Sequence, residues 1–245
     1  MKVIGVIPAR LGSTRLKNKP LIKIAGKELI SWVIQRVKAC KKIDDILVAT
    51  DSEQVSQIAK AMGVRSAMTE PSLPSGTDRI YNALKNEKWD YVLNIQGDEP
   101  LINPEWIDKL AQGASQSGAA MATLAHKISE SEMESMHAVK VLVNQLGEAI
   151  YFSRFAIPCS RVPVQSFPPN AVFKHIGIYA YRQDFLKQFC ESKPSAIEIS
   201  ESLEQLRALD LGAKIKVFEV QGKSLGVDTE DDIKKVEEIL LNGNY

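Results

Sequence analysis

The residues best suited to chemistry stand near the start of the chain, in a loop rich in positive charge. Arg10, Arg15, Lys17 and Lys19 lie within ten residues of one another, and no Asp or Glu occurs before Glu28. The loop also contains a Gly-Ser pair, which lets backbone N–H groups approach an anion closely. The pattern favours binding of a polyanion such as a triphosphate over a merely solvated surface loop, although it matches neither the P-loop nor the GxGxxG pattern.

Two carboxylates stand in glycine-containing turns that follow runs of apolar or small residues. Asp98 comes directly after Gly97, and Asp228 comes shortly after Gly226. A triphosphate is normally handled with Mg²⁺, which binds carboxylate oxygens, phosphate oxygens and water. The pair could therefore hold Mg²⁺. The alternative is that each carboxylate only caps a turn or a helix, and spacing alone does not choose between these hypotheses.

Two further segments could recognise a nucleoside. The segment from Ser75 to Arg79, which includes Gly76, could present backbone amides, a hydroxyl and a guanidinium to a base or a ribose. It could equally be a capped helix start, with Thr77 or Asp78 as the cap. Gln96 carries an amide able to read a base, or it could hydrogen-bond a neighbouring loop at the end of a strand.

Several polar residues of the second half lie in otherwise apolar surroundings: Arg154, His175, Glu204, Gln205 and Arg207. An arginine after a strand could bind a carboxylate in bidentate geometry. A single histidine is more often structural than catalytic. The three cysteines lack any metal-binding spacing and any basic neighbour, so we interpret them as structural.

A regular framework has to position these residues. The sequence pattern of the first 115 residues predicts four strands that alternate with helices. The strands are continuous apolar runs, as in sheets buried on both faces. Repeated strand–helix units predict a parallel sheet, in which ligands bind at the carboxyl ends of the strands. The loops 9–19, 69–78 and 96–100 leave those ends, so we expect them to converge.

The second half is less regular. It predicts strands at 121–126, 138–143, 149–152, 174–182 and 214–220, a proline-rich loop at 153–171 and helical residues within 186–211. A final helix follows Thr229. The whole pattern predicts an α/β fold with a mixed, mostly parallel sheet flanked by helices and with a smaller inserted lobe.

Composition narrows the classes of function. A net charge of +1 argues against a dedicated nucleic-acid binder. We find no apolar segment long enough for a signal peptide or a membrane span. Together with the scattered cysteines, this predicts a cytoplasmic protein that binds neither nucleic acid nor membrane.

Eight stretches, in order along the chain, resemble the 3-deoxy-manno-octulosonate cytidylyltransferase (CMP-Kdo synthetase) family. They are IPARLGSTRL (7–16) with KPL (19–21), VATD (48–51), SGTDR (75–79), NIQGDEP (94–100), YFSR (151–154), HIGIYAYR (175–182), LEQLRAL (203–209) and VDT (227–229). The resemblance implies a nucleotidyltransferase fold of the GT-A type, a homodimer and Mg²⁺. It also implies that CTP and the sugar acid Kdo react to give CMP-Kdo and pyrophosphate for lipopolysaccharide synthesis.

The resemblance also implies roles for individual residues. Arg10 and Lys19 would hold the triphosphate with help from Arg15; Ser13, Ser75 and Gln96 would seat the cytidine beside Gly76 and Arg79; Asp98 and Asp228 would bind Mg²⁺; and Arg154, His175, Glu204 and Gln205 would line the sugar-acid pocket. The implied organisation is one nucleotidyltransferase domain, 1–245. Its nucleotide-binding half is 1–120, its sugar-binding and dimerisation lobe is 121–225, and residues 226–245 return to the main sheet.

The family usually has Pro-Gly where this chain has Lys17-Asn18. Because Asn tolerates left-handed backbone, we expect the turn to survive. Three alternatives remain open: activation of a related sugar acid (an 8-amino Kdo analogue or a sialic acid), an inactive nucleotide-sensing protein on the same fold, and a glycosyltransferase that consumes a nucleotide sugar.

Overall fold

The structure, a computed structural model, describes residues 1–12, 16–159, 171–223 and 225–243. It divides into two compact units. The first unit comprises Met1–Ala111 and Ser224–Tyr245, and the second comprises Gln112–Lys223. The chain thus leaves the first unit once and returns to it near its end.

The first unit is built on a parallel sheet with the strand order β6-β1-β4-β5. Helices α1, α2 and α3 pack against these strands. In chain order the elements are β1 (Val3–Ala9), a 3₁₀ turn (Lys19–Leu21), β2 (Lys23–Ile24), β3 (Lys27–Glu28), α1 (Leu29–Lys38), β4 (Asp45–Thr50), α2 (Glu53–Ala61), β5 (Arg65–Met68), α3 (Gly76–Leu84), β6 (Tyr91–Asn94) and α4 (Pro104–Ser117), whose last turns belong to the second unit.

The second unit contains a mixed sheet with the order β11-β7-β10-β8-β9. Only the β11–β7 pairing is parallel. Its elements are β7 (Met121–Lys127), α5 (Glu130–Glu134), β8 (Lys140–Val143), β9 (Ala149–Ser153), β10 (Val172–Arg182), α6 (Gln183–Glu191), α7 (Ala196–Glu201), α8 (Leu206–Asp210) and β11 (Ile215–Glu219). The predicted α/β class, with parallel strands flanked by helices, is confirmed.

The returning chain ends in helix α9 (Glu230–Leu241), which joins the hydrophobic core of the first unit. The buried members of this core are Leu16, Ile24, Leu29, Trp32, Val227, Val236 and Leu240. Burial of such side chains stabilises the return by roughly 1.5–3 kcal/mol for each large residue. The segment just before α9 is therefore held firmly against the first unit.

Within the described residues, no helix is both long and apolar enough to cross a membrane.

Candidate active site

The three loops predicted to converge line one pocket of about 260 Å³ in the first unit. Its walls come from the end of β1, from the 3₁₀ turn, from the start of α3 and from the segment after β6. The lining residues are Pro8, Ala9, Arg10, Lys19, Pro20, Gly76, Arg79, Gln96, Gly97 and Asp98. Cationic and carboxylate groups share this pocket, as a metal–triphosphate ligand requires.

Hydrogen bonds fix the beginning of the basic loop to the end of the neighbouring strand, and a residue with left-handed backbone turns the chain near the end of the loop. The backbone N–H of Leu11 donates to Asp51 Oδ1 at 3.1 Å, and Thr50 Oγ1 donates to Ala9 O at 2.6 Å. Asn18 adopts φ 54° and ψ 35°, so the expectation that asparagine preserves the turn is confirmed. Ser13 and Arg15 lie outside the described residues.

Asp98 stands in a turn that leaves no room for a side chain at the position before it. A Cβ on Gly97 would lie 2.7 Å from the backbone oxygen of Pro8, closer than real Cβ contacts. Glycine is therefore needed for the chain after β6 to pass close to β1. This close approach brings Asp98 to the pocket wall beside the basic loop.

Asp228 does not cap helix α9, so that alternative is wrong for this residue. Thr229 is the N-cap: its hydroxyl accepts from Asp232 N at 3.3 Å, and Asp232 accepts from the N–H of Thr229 at 2.9 Å in a capping box. The N–H of Val227 donates to Asp98 O at 2.9 Å. The cap and this bond place the Asp228 carboxylate beside that of Asp98.

Lys19 joins the two carboxylates. Its Nζ lies 2.5 Å from Asp98 Oδ2 and 2.9 Å from Asp228 Oδ1, and its side chain is 13% exposed. Two oxygens that converge on one cation are also a suitable donor set for Mg²⁺, which commonly takes one or two carboxylates plus substrate phosphates. The residues therefore fit a magnesium site, in which the ion and the Lys19 ammonium would compete for the same oxygens.

Arg79 reaches the pocket although its side chain is only 1% exposed. Its Nη1 donates to Thr69 Oγ1, and its Nη2 lies 3.6 Å from Asp51 Oδ2 without a hydrogen-bond partner in the described part of the chain. Burial lowers the pKa of Arg79, Asp51 opposes this effect, and the positive charge of Arg10 lowers the pKa further. Two arginines that repel each other favour an anion between or beside them.

The N-cap of α3 is Ser75, so the prediction of Thr77 or Asp78 as the cap is wrong. The Ser75 hydroxyl accepts from the N–H of Asp78 at 3.2 Å and donates to the carboxylate of the same residue at 2.8 Å. Gly76 can then occupy the first helical position and line the pocket with backbone alone. The hydroxyl of Ser75 is thus engaged in the cap, whereas the helix start itself faces the pocket.

Gln96 belongs to a chain of polar side chains at the end of β6. Its Nε2 donates to Asn94 Oδ1 at 3.1 Å, and Asn94 Nδ2 donates to Thr77 Oγ1 at 3.2 Å. This bond to Asn94 fixes the orientation of the amide at the pocket wall. An amide held in one orientation can distinguish donor from acceptor groups on a ligand.

In the second unit, His175 is buried as a neutral imidazole. Burial lowers its pKa to about 3. Thr123 Oγ1 lies 3.0 Å from His175 Nε2, 3.1 Å from Ile176 O and 2.8 Å from Ile178 O. Because the hydroxyl has one proton and must donate it to a carbonyl, the network assigns the ring proton to Nε2. His175 can accept a hydrogen bond through Nδ1 but contributes no positive charge.

Arg154 supplies positive charge in the same unit. Within the described residues its guanidinium donates to three backbone carbonyls: Nε to Glu201 O at 3.1 Å, Nη2 to Ser202 O at 3.3 Å and Nη1 to Met136 O at 3.4 Å. None of the ion pairs found among the described residues involves this guanidinium. Arg154 therefore keeps a net charge that a carboxylate ligand could neutralise.

Gln205 is linked to His175 through Tyr179. The Tyr179 hydroxyl donates to Gln205 Oε1 at 3.1 Å, and the tyrosine ring lies 5.4 Å from the imidazole. Gln205 is 3% exposed, and its Nε2 has no hydrogen-bond partner among the described residues. A buried donor without a partner costs free energy unless a ligand accepts from it. Glu204 is half-buried beside it.

Four residues of these networks escaped the sequence-based prediction of the site: Asp51, Thr123, Glu201 and Lys140, whose Nζ donates to the backbone oxygen of Arg154. Asp51 ends a matched stretch, and Lys140 interrupts the apolar run AVKVLV, so both gave a signal. Thr123 and Glu201 are ordinary residues for a strand and a helix. Their roles depend on which segment packs against them.

The geometry can be compared with known proteins. The model of a family described as cytidylyltransferase matches residues 4–215. The 3-deoxy-manno-octulosonate cytidylyltransferase of Bdellovibrio bacteriovorus is 51% identical over 242 residues, which cover 98% of each chain. The Escherichia coli protein of the same name is 41% identical, with 98% of this chain and 96% of that one covered.

A solved structure of CMP:2-keto-3-deoxy-manno-octonic acid synthetase complexed with CTP is also similar. It superposes with a TM-score of 0.91 at 39% sequence identity, covering 99% of this chain and 100% of that one. The two named relatives and the solved structure match nearly the whole chain. The chain therefore belongs to the cytidylyltransferases, within the 3-deoxy-manno-octulosonate cytidylyltransferase family.

Proposed function

We propose that this protein transfers the cytidylyl group of CTP to Kdo and releases pyrophosphate. The observation that carries the proposal is the pocket in which Arg10 and Lys19 stand beside the convergent carboxylates of Asp98 and Asp228. This arrangement occurs in a chain 51% identical to a 3-deoxy-manno-octulosonate cytidylyltransferase. The product, CMP-Kdo, serves lipopolysaccharide synthesis.

In the reaction, the anomeric hydroxyl oxygen of Kdo forms a bond to the α-phosphorus of CTP. The bond from that phosphorus to the bridging oxygen breaks, pyrophosphate leaves, and the hydroxyl proton is released. The charge that accumulates on the phosphate oxygens has to be offset, and Arg10 and Lys19 are placed to do so. Positioning and fixed charge thus account for most of the catalysis.

The nucleoside part of CTP is seated by the start of α3 and the end of β6. Gly76 offers backbone, Gln96 offers an oriented amide, and Arg79 offers a buried guanidinium. Ser75 contributes by fixing the helix start. From the family resemblance, we further propose that Ser13 helps to bind the cytidine and that Arg15 helps to bind the triphosphate.

Asp98 and Asp228 would hold Mg²⁺ in the working enzyme. The bound ion supplies concentrated positive charge to the triphosphate and so complements the basic loop. The protein's own contribution is to hold both carboxylates at one point, through the glycine turn before Asp98 and the capped helix after Asp228.

Arg154, His175, Glu204 and Gln205 would bind the sugar acid. Arg154 offers charge to the carboxylate, His175 offers an acceptor nitrogen to a hydroxyl, and Gln205 offers its Nε2, which has no partner within the described residues. The half-buried carboxylate of Glu204 would accept from further hydroxyls. A charged, carboxylate-bearing sugar fits this set better than a neutral hexose.

We further propose a cytoplasmic homodimer. All three cysteines are free, which suits a reducing compartment. Ile150, Phe155 and Ile199 of the second unit each expose more than half of their surface, as residues at a subunit interface do in an isolated chain. Light scattering of the purified protein should give twice the 27.1 kDa chain mass.

The function is tested by pyrophosphate release with each nucleoside triphosphate against Kdo, 8-amino Kdo and a sialic acid, with and without Mg²⁺. We expect release that requires CTP, Kdo and Mg²⁺ together. Preference for another sugar acid would reassign the substrate. Release from CTP that does not depend on any sugar acid, or full activity in Asp98→Asn, would refute the proposal.

A further inference from the structure

Lys140, in strand β8, is a lysine with no exposed surface. Its Nζ donates to the backbone oxygens of Ser135 at 2.8 Å, of Ala138 at 2.8 Å and of Arg154. All three ammonium donors therefore have carbonyl acceptors. A buried lysine is rare because desolvating the charge is costly, and an apolar side chain could fill the same space without that cost.

The three carbonyls belong to two segments that meet at Arg154. One is the peptide of Arg154 itself. The other is the segment from Ser135 to Ala138, which contains Met136, whose carbonyl accepts from Arg154 Nη1. Lys140 thus holds both the backbone of Arg154 and the segment that supports its guanidinium.

Glu201 holds the backbone of Arg154 at the preceding peptide group. Its carboxylate accepts from the N–H of Arg154 at 3.0 Å and from Ser153 Oγ at 2.7 Å. Burial lowers the pKa of Lys140, Glu201 opposes this effect, and the charge of Arg154 lowers it further. The anionic and cationic clamps therefore also balance each other's charge around one arginine.

We propose that Lys140 is a positioning residue for the sugar-acid site, acting through Arg154, with Glu201 as the second half of the clamp. The proposal rests on the proposed function, in which Arg154 binds the carboxylate of Kdo. Lys140 does not touch the substrate. It fixes the point from which the guanidinium reaches it, so its loss should weaken binding of the sugar acid and leave CTP binding intact.

The test is a double-mutant cycle with Lys140→Met and Arg154→Ala, measured by steady-state pyrophosphate release. We expect Lys140→Met to raise KM for Kdo about tenfold, which corresponds to about 1.4 kcal/mol. KM for CTP should change less than about twofold, or by less than about 0.4 kcal/mol. In the Arg154→Ala background, Lys140→Met should have no further effect on KM for Kdo, because residues that act through one another are not additive. Lys216→Met, which removes a bond from Nζ to Leu146 O at the surface, is the matched control and should behave as wild type.

Additive effects in the double variant, or an unchanged KM for Kdo in Lys140→Met, would overturn the proposal. Should Lys140→Met fail to fold, Glu201→Gln probes the other half of the clamp with the same cycle, and an unchanged KM for Kdo there would overturn it equally. A wild-type protein without Kdo-dependent activity would refute the proposed function and this inference together. An active wild type with an unaffected variant would refute this inference alone.

Discussion

Replacing Lys19 by methionine should make the stability of the protein depend more strongly on Mg²⁺. The substitution keeps the apolar stem and removes the ammonium that lies 2.5 Å from Asp98 and 2.9 Å from Asp228. Two carboxylates that were bridged by a cation are then left to repel each other. Mg²⁺ is the ion expected to replace the lost charge.

The magnitude follows from the exposure of the three groups. A pair of charges about 4 Å apart at an effective dielectric constant of about 20 interacts by about 4 kcal/mol. The carboxylates are 35% and 46% exposed, so water screens them, and each pair should contribute nearer to 1 kcal/mol. We therefore expect Lys19→Met to lose about 1–2 kcal/mol of unfolding free energy in the presence of EDTA.

Mg²⁺ should return most of this loss. Binding at ten times the dissociation constant adds about 1.4 kcal/mol, and the variant should gain more than wild type because no ammonium competes for the oxygens. The assay is urea unfolding with EDTA or with millimolar MgCl₂. Lys214→Met, which removes the ion pair between the exposed Lys214 and Glu148, is the matched control and should show no altered response.

Two results would refute this reasoning about the carboxylate pair. One is an identical response of wild type and Lys19→Met to Mg²⁺. The other is an undiminished response when Asp98 and Asp228 are both replaced by asparagine. Catalysis provides a separate measurement: kcat/KM for CTP in Lys19→Met should fall by about 10²–10³, the usual cost of removing one group that offsets transition-state charge.

Three further predictions concern the framework. Gly97→Ala should lose about 1–3 kcal/mol of unfolding free energy in urea, because the added Cβ would lie 2.7 Å from a backbone oxygen. Gly12→Ala is the control: its added Cβ has no atom of the described residues within 4 Å, so its stability should stay within about 0.5 kcal/mol of wild type. The pKa of His175 is lowered to about 3, so only the unfolded chain takes up a proton at this residue as the pH drops below about 6.5. The free energy of unfolding should then fall by up to about 1.4 kcal/mol per pH unit. Urea unfolding of His175→Gln at several pH values should lack this component, and an unchanged slope would contradict the prediction. Arg207→Met should lose about 3–5 kcal/mol of unfolding free energy, because Glu198, which pairs with Arg207 at 2.5 Å, would remain buried without its partner. A loss below about 1 kcal/mol would show that the pair contributes no more than a surface ion pair.

The parallel strands could be predicted because their signal is local. β1, β4 and β6 are continuous apolar runs, and that pattern does not depend on what packs against them. The hairpin of β2 and β3 was not predicted, since two residues in each strand are too few to show alternation. Helix α5 was missed because five residues are too few to show helical periodicity, although Ser129 and Glu132 form its capping box.

The caps show where local chemistry is ambiguous. Ser75, Thr77 and Asp78 are all able to cap a helix, and the choice among them depends on which one has extended backbone. Ser75 does, with φ −134° and ψ 170°. Asp228 and Thr229 posed the same problem, and the structure resolves it in favour of the threonine. Sequence can name the candidates for such a position, but only the path of the backbone selects one.

The site depends still more on tertiary structure. Lys19 lies 79 residues from Asp98 and 209 from Asp228, and the contact with Asp228 exists only because the chain returns to the first unit. The residue pattern predicted the basic loop, the two acids and the convergence of the loops 9–19 and 96–100, and the family resemblance assigned them their roles. The bridging of both acids by one lysine could not have been read from either source, because it requires the distances.

Lys19 in the first unit contacts carboxylates, whereas Lys140 and Arg154 in the second unit contact mainly backbone carbonyls. This difference affects which ligands each unit can bind. In the first unit, Lys19 is neutralised by carboxylates, so a metal–triphosphate can enter by exchanging one set of ion pairs for another. In the second unit, Lys140 and Arg154 donate to backbone carbonyls, and the carboxylate of Glu201 is one negative charge beside these two positive charges. A carboxylate that reaches Arg154 would therefore meet an excess of positive charge. Such a site favours an anionic sugar over a neutral one by charge alone, before any hydroxyl is recognised.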